Sequence, residues 1–224
     1  MASNVALLKN IPYDPLKDFT PVAGIAETAL ALMVKPSFPA RDAREFIAYA
    51  KQNPGKLSAG YGSSSSQVSI SMLDKLAGTK TLAVPYKGIP LAVNDVVGVT
   101  VDFTFVDLGN AMAQARGGML KLIAVTSDKR NALVPDWPTL SEVTPGYYIT
   151  AGFALVGPPH LPKPIVDKLH GAIARALAQP ESREKFASIG LVPMPMAPDR
   201  LKTFMASEVV KWKGLVKEAE IQPE

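Results

Sequence analysis

The sequence predicts an α/β protein with one complete, small, mostly parallel-sheet domain and a second, incomplete α/β domain that carries the C-terminal helices. Three observations lead there. Between residues 41 and 127, short β-type runs alternate with helical patterns in a βαβαβαβ order joined by short connections. After residue 163 the chain reads as three helices whose apolar faces, for example Ile165, Leu169, Ile173 and Leu177, must cover something. Only two further runs, near 22–34 and 151–156, read as strands outside the central block, and two strands make a poor floor for three helices.

Residues 1–20 are turn-rich, with Asn10, Pro12, Asp14 and Pro15 in quick succession, so no helix can run through them. Residues 22–34 read as one or two strands closed by Lys35-Pro36. After Pro39 a helix is expected, with Asp42 as its cap, Phe46, Ile47 and Tyr49 on its apolar face, and Asn53-Pro54-Gly55 as its stop. A strand at 57–59 leads through a serine-rich loop into a helix over 67–77, with Gly78 placed to end it. Then come a strand at 81–84, a short helix to about Val97, a strand at 101–106 ending at Asp107, a helix over 108–116 stopped by Gly117-Gly118, and a strand at 120–125. Residues 128–148 are punctuated by Pro135, Pro138 and Pro145 and lead away from the first sheet. The helices at 163–178, after Pro180 as far as Gly190, and from Pro198 to about Ala219 complete the chain; Trp212 and Leu215 read as core.

Composition narrows the function. Hydrophobic residues are 47% and charged residues 20% of the 224, the mix of a folded globular chain. No apolar run approaches the roughly 18 residues a membrane helix requires. The net charge of +4 comes from scattered basic residues accompanied by acidic ones, as in Arg183-Glu184-Lys185, rather than from a basic stripe interleaved with aromatics, so no nucleic acid is expected as a partner. There is no cysteine, which excludes disulfides and thiolate chemistry. The first residues, Met1-Ala2-Ser3-Asn4-Val5, show no basic region followed by an apolar stretch, so a signal peptide is not expected within this chain.

The serine loop is the leading candidate site. Tyr61, Gly62, Ser63, Ser64, Ser65, Ser66 and Gln67 lie between a strand and a helix start, where unpartnered N–H groups and the helix dipole favour an anion. The loop has no lysine or arginine, which points to a carboxylate held by neutral donors rather than to a nucleotide. The same residues also make a capped βα turn with surplus serines, and the loop alone does not choose. Asp107 at a strand end suits a helix N-cap and a ligand contact equally, and the two roles can coexist. It could take the ammonium of an amino acid, or meet a plain dicarboxylate through water. Lys87 could offset anion charge, although an exposed lysine is ordinarily just solvated.

Several segments together resemble a known family. They are the run from Asn10 to Val22 (Asn-Ile-Pro-Tyr-Asp-Pro-Leu-Lys-Asp-Phe-Thr-Pro-Val), Tyr61-Gly62 with its serines, Val84-Pro85-Tyr86-Lys87-Gly88, and Val101-Asp102-Phe103-Thr104-Phe105-Val106-Asp107. Leu122 to Ser127 and Val134 to Glu142 (Val-Pro-Asp-Trp-Pro-Thr-Leu-Ser-Glu) follow in the same order. The chain resembles the receptor of a tripartite tricarboxylate transporter, the Bug family of periplasmic solute-binding proteins. The resemblance implies a periplasmic-binding-protein-like clamshell that is no enzyme, needs no cofactor or metal, and closes on a small organic acid, di- or tricarboxylate, amino acid or aromatic acid. It implies membrane components of the transporter as partners and a periplasmic location. The family's second-domain anion loop matches Tyr61 to Gln67, and a further edge of the site matches Tyr86, Lys87, Gly88 and Asp107. Residues 1–35 then correspond to the crossover and part of domain 1, 36–128 to the ligand-binding domain 2, and 129–224 to the return crossover and the C-terminal helices of domain 1. Roughly the first hundred residues of an ordinary two-domain receptor, with half of the ligand site, are expected to be missing. That leaves apolar surface for self-association and a half-site that binds weakly.

Two other classes compete. Ser63 or Ser65, Asp107 and His160 stand in the chain order of an α/β-hydrolase triad, but no Gly-x-Ser-x-Gly elbow frames the serine. A remnant or scaffold that binds nothing tightly is the other. His160 and His170 have no recognised metal-ligand spacing, and Gly60-x-Gly62 lacks the third glycine and the lysine of nucleotide loops.

Overall fold

A computed structural model describes residues 1–223. The chain divides into two compact units. The first comprises Met1–Thr28, Ala151–Lys217 and a few residues from Ile221 on; the second comprises Ala29–Thr150 and Glu218–Glu220.

The second unit is a layered α/β domain. In chain order it holds the end of β1 (Thr20–Val34), α2 (Ala43–Gln52), β2 (Ser58–Tyr61), α3 (Ser64–Ala77), β3 (Leu82–Pro85), α4 (Ile89–Val97), β4 (Phe103–Asp107), α5 (Leu108–Arg116) and β5 (Lys121–Val125). The strand order is β3-β2-β4-β1-β5. β2 runs parallel to β3 and β4, but β1 is antiparallel to both β4 and β5. The sheet is therefore mixed, and the mostly parallel sheet expected from the βαβ alternation needs that correction. The alternation fixes the direction of β2 to β5 relative to one another; it does not reveal that a strand arriving from the other unit is inserted between β4 and β5.

Alternation along β4 builds two cores. Phe103 and Phe105 face one side, where Phe38, Phe46, Phe103, Phe105 and Tyr147 form a run of rings with centroids 5.1–6.5 Å apart. Such pairs contribute about 0.5–1.5 kcal/mol each beyond the area they bury. Tyr147 ends the run fully buried, its hydroxyl donating to the Ser69 carbonyl at 2.7 Å, and burial raises its ionisation. On the other side Val106 joins Ala31, Met33, Val93, Val96, Ala111 and Met112 beneath α4 and α5.

The first unit is built on the front half of β1. A single turn, α1 (Asn4–Leu7), precedes the proline-rich run. β6 (Thr150–Gly157) and β7 (Val192–Met196) both pair with β1, and α6 (Lys163–Ala178), α7 (Pro180–Ser188) and α8 (Pro198–Glu218) complete it. β7 corrects the expectation of only two strands outside the central block. Its sequence, Val-Pro-Met-Pro-Met, carries two prolines that argue against a central strand, and among the described residues it sits where proline is tolerated, paired on one side only. Three strands still leave apolar surface uncovered. Phe153 on β6 is 47% exposed and Ile165 on α6 45%, and Leu155 and Leu169 are exposed too, whereas Leu177 and Trp212 are buried.

One turn is strained. α4 ends at Gly98, and the next residue, Val99, has φ 62°. A β-branched residue in the left-handed region crowds its own carbonyl, at a cost of about 1–2 kcal/mol. Val99 is 59% exposed, so its side chain recovers little of that by packing. Val99→Gly is expected to raise the unfolding free energy by roughly 0.5–1 kcal/mol, net of glycine's larger chain entropy. Urea denaturation measures it, and a fall in stability would contradict the strain.

Candidate functional site

β2, β3 and β4 run side by side in the same direction, and each hands over to a helix at its C-terminal end. Tyr61 lies opposite Pro85, and Gly60 opposite Thr104. The N-termini of α3, α4 and α5 therefore gather at one edge of the sheet, where ligands of open α/β folds bind. This edge holds the residues expected for the carboxylate site: Tyr61 to Gln67 from the β2–α3 junction, Tyr86, Lys87 and Gly88 from β3–α4, and Asp107 from β4–α5.

The serine run is less a loop than the sequence suggested. Ser63 is the N-cap of α3, and Ser64, Ser65 and Ser66 already form its first turn, where the helix was expected to begin at Gln67. Serine has modest helix propensity, but a capping box overrides it here. Ser63 Oγ accepts from the Ser66 N–H at 3.2 Å, and the buried Ser66 Oγ accepts from the N–H groups of Ser63 (3.1 Å) and Gly62 (3.2 Å). Gln67 donates its N–H to the Ser63 carbonyl at 3.0 Å. Among the described residues, nothing in the chain accepts the N–H groups of Ser64 and Ser65. What the serines leave for an anion is thus chiefly backbone N–H at the positive end of a 14-residue helix.

Gly62 is required by contact rather than by φ. A Cβ built on it would lie 2.2 Å from the carbonyl carbon of Gly88 and 2.5 Å from the Ile89 nitrogen. The two junctions are pressed together there, and the Tyr86 N–H donates to the Tyr61 carbonyl at 2.8 Å just beside it. Gly88 itself is the N-cap of α4 without a side chain to cap it.

Tyr86 serves the framework. Its ring lies over Gly60, and its hydroxyl donates to Asp95 Oδ2 at 2.6 Å. That bond, with burial adding to it, pushes the phenol up to about 12. Its proton is therefore committed to Asp95, a partner nine residues away that no local motif marks. Asp107 caps α5, taking the Asn110 N–H at 3.1 Å and the Asn110 side-chain amide at 2.6 Å. Asn110 was not foreseen, although its place three residues after a capping aspartate is a readable signal. Lys87 is exposed and makes no hydrogen bond or ion pair among the described residues.

Within the second unit, no hydrogen bond joins Ser63 or Ser65 to Asp107 among the described residues. Ser63 Oγ has Ser65 Oγ and Ser66 Oγ as neighbours, at 3.2 and 3.1 Å, and Asp107 is engaged with Asn110. His160 belongs to the first unit, in an exposed left-handed turn. Among the described residues no group of three or more His, Cys, Asp or Glu side chains could hold a metal ion, and no helix is long and apolar enough to cross a membrane.

The family model for "Tripartite tricarboxylate transporter family receptor" matches residues 2–221. The chain belongs to this receptor family. A UPF0065 protein from the gbd 5′ region of Cupriavidus necator is 33% identical over 210 residues, covering 92% of this chain and 63% of the relative, so the chain spans less than two thirds of that relative's length. Among solved structures, Rpa4515 of R. palustris with adipate matches at TM-score 0.93 and 29% identity over 99% of this chain and 75% of its own. MatC of Rhodopseudomonas palustris with bound malate matches at 0.84 and 32% over 96% and 75%. The receptor family and the periplasmic-binding-protein fold class expected from the sequence are those the chain has.

The Tyr86–Asp95 bond has a measurable signature. A phenol raised in the folded state contributes stability that is complete below its unfolded value near 10 and is lost as pH rises through about 12. Spectrophotometric titration is expected to show one tyrosine ionising near 12, absent from Tyr86→Phe, with that variant about 1–2 kcal/mol less stable at neutral pH. An unchanged titration curve would remove the bond from the account.

Proposed function

We propose that this chain is, or is part of, a periplasmic receptor that binds a small carboxylate for a tripartite tricarboxylate transporter. The family match supports the receptor class, and adipate and malate in the two relatives support the ligand class. The observation that carries the reading to this chain is the pair of unaccepted N–H groups, Ser64 and Ser65, at the start of α3. Neutral donors at a helix N-terminus hold a carboxylate without a fixed cation. Asp107, with its oxygens turned to Asn110, favours acids without an ammonium group over amino acids. Tyr61, Gly62, Ser63, Ser66, Gln67, Gly88 and Lys87 shape the surroundings, and Tyr86 braces them. The transporter's membrane components are the proposed partners, and no catalysis is assigned.

Binding by this chain alone is expected to be weaker than micromolar, because a cleft ligand ordinarily has about 70–90% of its surface covered. Calorimetry with adipate, malate, citrate, aspartate and benzoate tests the class; heat from none of them would favour a scaffold that binds nothing. Ser64→Pro tests the site. Ser64 is the first helical position, where proline is tolerated, and Ser63 (φ −153°, ψ 158°) already has the extended backbone that precedes proline. The fold is expected to survive while one N–H is lost, weakening carboxylate affinity about tenfold, the worth of one charge-assisted hydrogen bond. Unchanged affinity would move the ligand elsewhere.

The same reading includes self-association through the exposed Phe153, Leu155, Ile165 and Leu169. Light scattering at micromolar concentration is expected to show species larger than a monomer, diminished by Phe153→Ser with Ile165→Ser. A well-behaved monomer would count against it.

A further inference from the structure

Two connections join the units near the sheet: within β1 at Thr28 and Ala29, and at Thr150 and Ala151 where β6 begins. One buried side chain reaches both. Thr126, 0% exposed, follows the last residue of β5. In an antiparallel pair two opposite residues exchange both N–H···O=C bonds. Here Thr126 donates its N–H to the Leu30 carbonyl at 2.8 Å, but the Leu30 N–H goes to Thr126 Oγ1, also at 2.8 Å. The hydroxyl has taken the place of the carbonyl in the ladder. That frees the Thr126 carbonyl to accept the Ile149 N–H at 3.0 Å, while the hydroxyl donates to the Ile149 carbonyl at 2.7 Å. Leu30 and Ile149, each one residue inside a unit boundary, are thereby tied to the same residue. On the other side of the first boundary the Thr28 hydroxyl donates to the Gly190 carbonyl at 2.9 Å, also buried. Within β1, Thr28 is thus bonded into one unit and Leu30, two residues on, into the other.

We propose that Thr126 is a positioning residue that fixes the pivot between the two units. Its hydroxyl confines the backbone change of any relative motion to 28–30 and 149–151 and keeps the two connections in step. Hinges are a few element-terminal residues that absorb φ/ψ change, and a buried side chain that pins both strands at one level decides which residues those are. The inference rests on the division into two units and needs no ligand, so it stands or falls separately from the receptor reading. A third crossing, at the end of α8, is held to the second unit by the exposed Lys75–Glu220 ion pair and can be released on its own.

The chain has no cysteine, so two introduced ones carry spin labels cleanly. Lys56→Cys in the second unit and Arg183→Cys in the first are both exposed. Pulsed electron spin resonance on this background compares the native residue, Thr126→Val, Thr126→Ser and Glu220→Gln. Thr126→Val keeps the shape and the two backbone bonds while removing the hydroxyl; Thr126→Ser restores it. Thr126→Val is expected to broaden the distance distribution about twofold with unchanged circular dichroism, Thr126→Ser to restore the native width, and Glu220→Gln to leave it unchanged. A native width in Thr126→Val, a serine variant as broad as the valine variant, or broadening from Glu220→Gln alone would overturn the proposal. Amide hydrogen exchange on the unsubstituted protein gives a check that needs no variant to fold. Leu30 and Ile149 are expected to exchange within threefold of each other through one shared opening, and a difference above tenfold would overturn it.

Discussion

A single strand has to satisfy two sheets at once, and most of the architecture follows from that demand. β1 is 15 residues long, and Ala29–Val34 is buried without interruption. Such a run cannot sit at the border of a sheet; it needs neighbours on both edges and layers on both faces. β4 and β5 supply the edges in the second unit, and the ring cluster and the α4–α5 core supply the faces. In the first unit the same strand pairs with β6 and β7. Two of its ladders carry an irregularity. One lies between Leu32 and Met33, the other between Gly24 and Ala26. Gly24 belongs there because a Cβ would lie 2.8 Å from the Met194 carbonyl oxygen and the Met196 side chain.

The candidate site inherits its geometry from this sheet. Once β4 is fixed against β1, β2 and β3 follow in parallel, and their helices can begin only at the same edge. Gly62 against Gly88 then sets the spacing of two helix starts without any side chain between them. The serines matter less as ligands than as internal caps. By satisfying each other they hold the first turn of α3 in a shape whose remaining N–H groups have no acceptor among the described residues. Such a helix start presents neutral donors in a fixed geometry and no cation. Asp107, at the third of these helix starts, is occupied with Asn110 instead.

The legible parts of the sequence were those governed by local chemistry. α5 was readable residue by residue because Asp107 caps it and Gly117-Gly118 stop it. α6 was readable from proline at its start and its apolar period. The misread parts depend on partners distant in the chain. The start of α3 was placed three residues late because a run of serines has loop-like propensity, and only the capping box reverses that. β7 was hidden by Pro193 and Pro195, whose missing N–H groups are harmless solely because of where the strand pairs. The serine run is legible from its place before a helix and Tyr86, Lys87, Gly88 and Asp107 from the family resemblance, and all lie at one edge. Their division of labour is not legible, because which atom Tyr86 donates to is decided by packing on Gly60.

Leu30 brings these threads to one place. Across one edge of β1 it faces Asp107, the cap of α5 at the candidate site. Across the other edge it is bonded to Thr126, which also holds Ile149. A strand residue has only two edges, and here one serves the candidate site and the other the root of both connections. Both backbone polar groups of Leu30 are bonded to Thr126, so Leu30 and Asp107 face each other as a non-hydrogen-bonded pair, with Cα atoms about 4.5 Å apart. What lies between Asp107 and Thr126 is thus a single buried strand residue, bonded on one side and packed on the other.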